Sequence, residues 1–312
     1  MISFFDAKLG ERLSKRLAYG KIAAIPFLAS QIWLFEKLDR SAFSILFFLA
    51  FLSGIASVYF LRKVEDVKSK RISEPSLILP FKHSNFLKWS LLNSGFCFSL
   101  SASRTFFAVY VLHVLGYPIW LVLALAFVAH LSSVYSLRFA GAISDRFGNK
   151  PLLAISVAFF DLSIILFILS NFNASFGILL FAYILHGFYT YAPNIAFMNA
   201  VADMTLRKHS APFYAIGNWM QDIFSALGSI FGGILLVNLA FLGEKSYIVL
   251  FLFSFTTSLL LIPLLRFYDE FGQSTSNALI NMPRLFFEDL GKIYRELKHF
   301  FVSRIKSKES EL

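Results

Sequence analysis

The chain has 312 residues, of which 57% are hydrophobic and only 15% charged, and its mean hydropathy of +0.66 excludes a soluble globular domain. Its 39 Phe are more rings than a water-soluble core of this size would hold, so many of them must face lipid. The single cysteine, Cys97, excludes an intrachain disulfide framework. We therefore expect an all-α polytopic membrane protein.

Eight stretches are apolar and long enough to cross a bilayer, which takes about 20 residues of helix. The first is the weakest, because Lys21, Pro26 and Gln31 lie inside it. In chain order, the predicted spans are Leu17–Phe35, Ser41–Leu61, Phe86–Val114, Ile119–Leu137, Pro151–Leu169, Phe176–Val201, Ala211–Leu236 and Tyr247–Leu265.

Basic residues concentrate on alternate connections between these spans. The segments that carry 25 of the 29 Lys and Arg are 1–21, 62–88, 138–150, 207–208 and 266–312. Only Lys37, Arg40 and Lys245 lie on the opposite connections, and Arg104 lies within a span. The positive-inside rule assigns the basic segments to the cytoplasm. Both termini are therefore predicted to be cytoplasmic, and the protein is expected in the cytoplasmic (inner) membrane.

The connection between the fourth and fifth spans, residues 141–150, reads GAISDRFGNK and predicts a tight, charged turn. Its first glycine would allow close helix packing, and its second would allow a positive φ. The segment resembles the G-x-x-x-D-R/K-x-G-R/K-R/K signature of the major facilitator superfamily, a family of membrane transporters. The matching residues are Gly141, Asp145, Arg146, Gly148 and Lys150, whereas Asn149 stands where a second Arg or Lys is usual.

The resemblance implies a bundle built from two six-helix halves joined by a cytoplasmic linker. On that pattern, residues 1–61 are a two-span remnant of the N-terminal half and residues 62–85 are the linker. Residues 86–267 form the C-terminal half, and 268–312 a cytoplasmic amphipathic tail. The bundle is then incomplete relative to the usual twelve helices, and a four-helix N-terminal segment is a missing partner. The alternative is an eight-span protein of another family.

The resemblance also implies that the first helix of each three-helix repeat lines the central cavity. In the third and sixth spans, polar residues recur at intervals of three and four, so each set shares a helix face. The predicted cavity residues are Asn93, Ser101 and Arg104 on the third span, and Tyr183, His186, Thr190 and Asn194 on the sixth. Small polar residues in such positions can also serve only as contacts between helices.

Four ionisable residues fall near the centres of spans, where charge is costly and a partner is expected. Arg104 cannot lose its proton, so it must meet an anion, a carboxylate or water; snorkelling to the outer interface is its alternative. Asp161 and Asp222 are candidate coupling carboxylates. The alternatives are a buried structural pair or a neutral acid for Asp161, and a packing role in the cytoplasmic half of its span for Asp222. His130 is expected to be a hydrogen-bonded packing residue.

Two further patterns predict structure and not chemistry. Gly228, Gly232 and Gly233 form a small-residue face for close helix contact. Residues 278–306 alternate apolar and basic positions, which favours an amphipathic helix on membrane lipid. No enzyme signature, metal-ligand spacing or phosphate-binding loop is found, so we expect no catalysis, metal or cofactor. The basic segments are explained by topology, and nucleic-acid binding has no separate support.

The sequence therefore predicts a secondary active transporter that moves a small solute by alternating access, with a proton or cation as the coupling ion. The resemblance implies that Asp145 and Arg146 hold the cytoplasmic side shut against the first span. The opposing hypothesis is a non-transporting or truncated protein that needs a partner segment.

Overall fold

A computed structural model describes residues 9–38, 41–63, 77–173, 175–205 and 210–268. Within these ranges the chain is helical and contains no strand. The central residues 64–76 of the predicted linker and residues 269–312 of the predicted tail lie outside the described part. The helices, in chain order, are α1 (Leu9–Leu38), α2 (Ser41–Leu61), α3 (Leu79–Lys82), α4 (Ser84–Val109), α5 (Ile119–Phe147), α6 (Asn149–Ser170), α7 (Phe176–Met204), α8 (Ser210–Asn238) and α9 (Lys245–Leu264).

All these helices except the four-residue α3 are long and apolar enough to cross a membrane, so the eight predicted spans are confirmed. The main differences are at the ends, where α1 and α5 extend beyond the predicted limits by several residues. These polar extensions continue the helices past the apolar core, which hydropathy alone cannot detect. Helix α4 is followed by a π-helical turn, Tyr110–Val114. Such turns are rare in proteins, and those that occur are often found at functional sites.

Close packing of α8 on α4 depends on two glycines. A Cβ added to Gly228 would collide with the carbonyl oxygen of Phe98, and one added to Gly232 with that of Ala102. The predicted small-residue face is thus confirmed for these two positions, while Gly233 has ordinary space around it. Without side chains the two backbones approach closely and gain dispersion contacts, the main source of helix association in lipid.

Hydroxyl groups join the remaining helices of the bundle. Ser132 of α5 donates to the carbonyl oxygen of Ile184 of α7 at 2.7 Å, where Gly187 allows the helices to approach. Ser163 of α6 donates to a carbonyl of α7 at 3.2 Å, and Ser99 of α4 donates to one of α9 at 2.6 Å. These bonds satisfy polar groups that lipid cannot hydrate. Together with the α4–α8 packing, these bonds join helices α4 through α9 into one bundle.

The two N-terminal spans attach to this body through α1. Helix α1 lies along α5 and touches α7, and its residues Ser14 and Ala18 are buried. Helix α2 packs against α1, with the rings of Phe35 and Phe43 at 4.7 Å, and none of its described side chains is buried. Consequently α1 faces the same region as α5 and α7, whereas α2 presents its surface outward.

Candidate functional site

The polar stripe of α4 divides into a buried and an exposed part. Towards the N-terminal end, predicted to be cytoplasmic, Asn93 and Ser101 are buried. Farther along the helix, Arg104 is exposed. The stripe is therefore buried towards the predicted cytoplasmic end of α4 and exposed farther along the helix.

Several buried polar atoms of this stripe have no hydrogen-bond partner among the described residues. They include both amide atoms of Asn93 and the hydroxyls of Ser90 and Ser94, and Gln221 of α8 adds its amide nitrogen. Such unpaired groups cost about 1–3 kcal/mol each, so a folded protein rarely keeps a cluster of them without a reason. Beside them, the Cys97 sulfur lies 4.0 Å from Oε1 of Gln221.

The predicted stripe of α7 is centred on His186. Its Nδ1 lies 2.8 Å from the hydroxyl of Tyr189, and the ring of Tyr183 is stacked 6.2 Å away. Thr190 donates to the carbonyl of His186 at 2.6 Å, so its hydroxyl is occupied within the helix. Asn194 is exposed. The structure therefore brings the side chains of Tyr183 and His186 together, whereas Thr190 bonds only to the His186 backbone.

Arg104 is exposed, but its charge acts on side chains of α4 and α7. It is close enough for Coulombic interaction with Cys97, His186 and Tyr189. No ion pair or hydrogen bond of its guanidinium is found within the described part of the chain. Arg104 and His186, predicted on separate helices, thus lie near each other.

Lys21 is a member of this site that the sequence did not indicate. Lys21 was predicted to lie inside the first span and was also counted with the basic N-terminal segment, and the candidate span Ser14–Leu38 contains it. Its Nζ lies 3.4 Å from Nδ1 of His130 and 3.8 Å from the ring centroid of Tyr191, and its charge also acts on His186. The sequence could not reveal these contacts with α5 and α7, because they join segments that are far apart in the chain. His130, whose Nε2 lies 2.9 Å from the Lys21 carbonyl oxygen, is the hydrogen-bonded packing residue expected.

The two candidate coupling carboxylates occupy different environments. Asp161 of α6 is buried and accepts a hydrogen bond of 2.5 Å from Ser258 of α9. That contact joins α6 to α9. Asp222 of α8 is exposed and close enough to Cys97 for Coulombic interaction. Only Asp222 therefore approaches the polar stripe.

The signature segment is mainly helical, which corrects the expected turn. Helix α5 continues through Gly141 and Asp145 to Phe147, and α6 begins at Asn149. The reversal is confined to Gly148, whose φ of 94° strains any residue with a Cβ. Asp145 is exposed, and the side chain of Arg146 lies outside the described part. The Nζ of Lys150 lies 5.5 Å above the ring centroid of Tyr268.

Asn149, which departs from the signature, is the centre of a hydrogen-bond network. Its Oδ1 accepts from Ser144 at 2.6 Å, and its Nδ2 donates to Asp203 at 3.2 Å. Asn199 also donates to Ser144, at 2.6 Å. The network ties the ends of α5, α6 and α7 together, and the buried amide suits it because one side chain both accepts and donates.

Among the described residues, no group of three or more His, Cys, Asp or Glu is arranged to hold a metal ion.

Comparison with known families agrees with this arrangement. A sequence model of the Major Facilitator Superfamily matches residues 20–201 and 131–305, and the first match alone spans more than half of the chain. The chain belongs to the Major Facilitator Superfamily. It is therefore a membrane protein of a transporter family, with the all-α bundle that its helices form. Among curated proteins, none matches its sequence.

One solved structure similar to this superfamily member is the crystal structure of a bacterial homologue of the iron transporter ferroportin, in an outward-facing state. The TM-score is 0.54 and the sequence identity 15%, so the likeness concerns the fold. The alignment covers 83% of this chain and 64% of the ferroportin homologue. The present chain thus spans less than two thirds of that transporter's length.

Proposed function

We propose that this protein is a secondary active transporter that moves a small solute across the cytoplasmic membrane by alternating access. Membership in the transporter family supports membrane transport in general. The observation that carries the more specific proposal is the division of the α4 stripe into a buried, unpaired part at Asn93 and an exposed part at Arg104.

The buried part fits a pathway that is closed on the predicted cytoplasmic side. There Phe197 of α7 packs on Gly217 of α8, and the hydroxyl of Tyr214 donates to the carbonyl of Met198 at 2.9 Å. When these helix ends separate, water or solute would reach Asn93 and satisfy its amide. The cost of unpaired polar atoms in one state is then offset in the other.

In this proposal the segments of the chain take the parts that the family pattern implies. Residues 1–61 act as the remnant of the N-terminal bundle, 62–85 as the linker, 86–267 as the C-terminal bundle and 268–312 as a cytoplasmic tail on membrane lipid. In this scheme both termini are cytoplasmic. The signature residues Asp145 and Arg146 gate the pathway, because they lie on α5 and α1 packs against that helix.

Asp222 is the better candidate for a coupling carboxylate. It is exposed beside the stripe, where a proton or cation that follows the solute could reach it. Asp161 is held by Ser258 between α6 and α9, so we assign it a structural role. The solute itself is not transferred from the ferroportin homologue, since the likeness to that protein shows the fold alone.

A second candidate function is that of one part of a larger assembly. None of the described side chains of α2 is buried, and much of α8 is exposed as well. These surfaces suit a further membrane segment that completes the cavity wall. On this hypothesis, the chain alone binds solute but does not transport it.

Reconstitution separates the two candidates. The purified full chain in proteoliposomes is given a mixture of small metabolites and an imposed proton gradient, and the accumulated compounds are identified by mass spectrometry. We expect gradient-dependent accumulation by the wild type. Asp145→Asn should slow turnover with little change in solute affinity, and Glu244→Gln, an exposed acid at the opposite membrane face, should change neither. Accumulation only after addition of a partner segment would favour the assembly.

A further inference from the structure

Lys21 and Arg104 both lie near His186, and neither pairs with a carboxylate of the described residues. The ring of His186 lies 6.0 Å from that of Phe107, one turn beyond Arg104 on α4. The next residue on α7, Gly187, packs against Ala129, the neighbour of His130, which Lys21 contacts at 3.4 Å. Both cations act electrostatically on the imidazole. The partners of Lys21 are an imidazole nitrogen and an aromatic ring, neither of which neutralises its charge. In the described part of the chain, neither cation forms an ion pair. A charge within the hydrocarbon is costly unless it is compensated, so this pair needs an anion.

The direction of the Arg104 side chain favours the interior over the outer interface. In an α-helix the Cα–Cβ bond tilts towards the N-terminus. The N-terminus of α4 is the predicted cytoplasmic end, so Arg104 leans away from the outer interface. Its charge accordingly reaches Cys97, two turns nearer that end. This direction argues against snorkelling.

We infer that Lys21, Arg104 and His186 form the binding site for a small anionic solute with a carboxylate or phosphate group. The inference rests on the proposed transport function and specifies its substrate class. The guanidinium supplies a planar fork that binds two oxygens of such a group, and the ammonium supplies a point charge. The hydroxyl of Tyr189, 2.8 Å from Nδ1 of His186, holds the imidazole in place at the site.

The position of the two cations links binding to movement. Lys21 belongs to the N-terminal remnant and Arg104 to the C-terminal bundle, so an anion bound by both bridges the two bodies. The nearby carboxylate of Asp222 acts on Cys97 but leaves one positive charge in excess. That single excess charge favours an anion and disfavours a cation or a neutral solute.

The inference is tested by thermal unfolding of the purified full chain in detergent. The probes are succinate and inorganic phosphate, with choline as a cationic control, each titrated to give an apparent Kd. We expect at least one anion to stabilise the wild type and choline to have no effect. Arg104→Leu and Lys21→Met should each weaken binding by about ten- to a hundredfold, as expected for a lost charge-assisted contact. Arg104→Lys should fall between them and the wild type.

Two controls make the outcome decisive. Lys245→Met removes an exposed cation at the start of α9 and should leave anion binding unchanged. Replacing Arg104 with Leu should ease membrane insertion, so a loss of binding would not reflect misfolding. Equal anion affinity in the wild type and Arg104→Leu would overturn the inference. Stabilisation by choline alone would also overturn it. So would a wild type that no probe stabilises, which is the result expected if a carboxylate of a further membrane segment neutralises the site.

Failure of this inference is distinguishable from failure of the proposed function. If the reconstituted wild type accumulates only neutral or cationic metabolites, the proposed transport function is supported and the proposed anion site is rejected. If an anion binds but no metabolite accumulates, the site stands and autonomous transport falls.

Discussion

Gly217 of α8 lies directly beneath the ring of Phe197 of α7, and no side chain larger than hydrogen fits between the two helices there. Phe197 is fully buried by this contact, which lies at the predicted cytoplasmic ends of both helices. The contact is therefore a candidate for the closed end of the proposed pathway.

The first prediction concerns this contact. Gly217→Ala places a methyl group where the ring of Phe197 lies, so it should destabilise the closed state by about 1–3 kcal/mol, the usual cost of overpacking. We expect a lower unfolding temperature for the purified protein. The matched control is Gly54→Ala on α2, where an added Cβ has no neighbour within 4 Å. Equal unfolding temperatures for Gly217→Ala and the wild type would contradict the importance of the contact.

The second prediction concerns the seam between α4 and α8. Gly232→Ala directs a methyl group at the carbonyl oxygen of Ala102, which is backbone and cannot move aside cheaply. Its neighbour Gly233 has an atom of the Phe106 ring 3.6 Å from the added Cβ, which is ordinary contact. Thermal unfolding should therefore show a clear loss for Gly232→Ala and almost none for Gly233→Ala. Similar losses for both variants would mean that the seam does not depend on this close approach.

The third prediction concerns Asn149. Asn149→Leu removes the acceptor of Ser144 and a donor to Asp203, and should lower stability by about 1–3 kcal/mol because Ser144 remains buried. Asn173→Leu, at an exposed turn position, serves as the control. Unfolding in detergent compares the two. A larger effect of Asn173→Leu would show that the network contributes little.

The fourth prediction concerns topology. In a Cys97→Ser background, cysteines introduced at Lys37, Gly116, Asn173 or Lys245 should react with an impermeant maleimide added to intact cells. A cysteine at Lys150 should react only after the membrane is opened, because the signature segment is predicted to be cytoplasmic. Labelling at Lys150 from outside would reject the assigned orientation.

The sequence predicted the architecture because each span carries its own signal. Apolar runs of sufficient length identify the membrane helices, and glycines four residues apart mark the α4–α8 seam. The periodic stripe that contains Arg104 and the stripe that contains His186 were also visible, since helical spacing is a local property. The two stripes lie near each other, as expected if both line the predicted cavity. The role of that cavity in transport stays a prediction.

Relations between distant segments were beyond the sequence. Lys21 resembles any basic residue near a positive terminus, and only the packing of α1 on α5 and α7 shows that it lies beside His130. Asn149 stood out only as a mismatch to the signature, whereas the structure gives it partners on α5 and α7. The extension of α5 to Phe147 depends on tertiary contacts, because its last turns are polar.

The position of Cys97 has a consequence for identifying the solute. It is the only cysteine in the chain, and it lies half-buried on the α4 stripe, two turns from Arg104. A mercurial reagent that enters the pathway can therefore react at one place alone, without any engineered label. Bound solute should shield that thiol, so compounds can be screened for protection of the native protein against chemical inactivation.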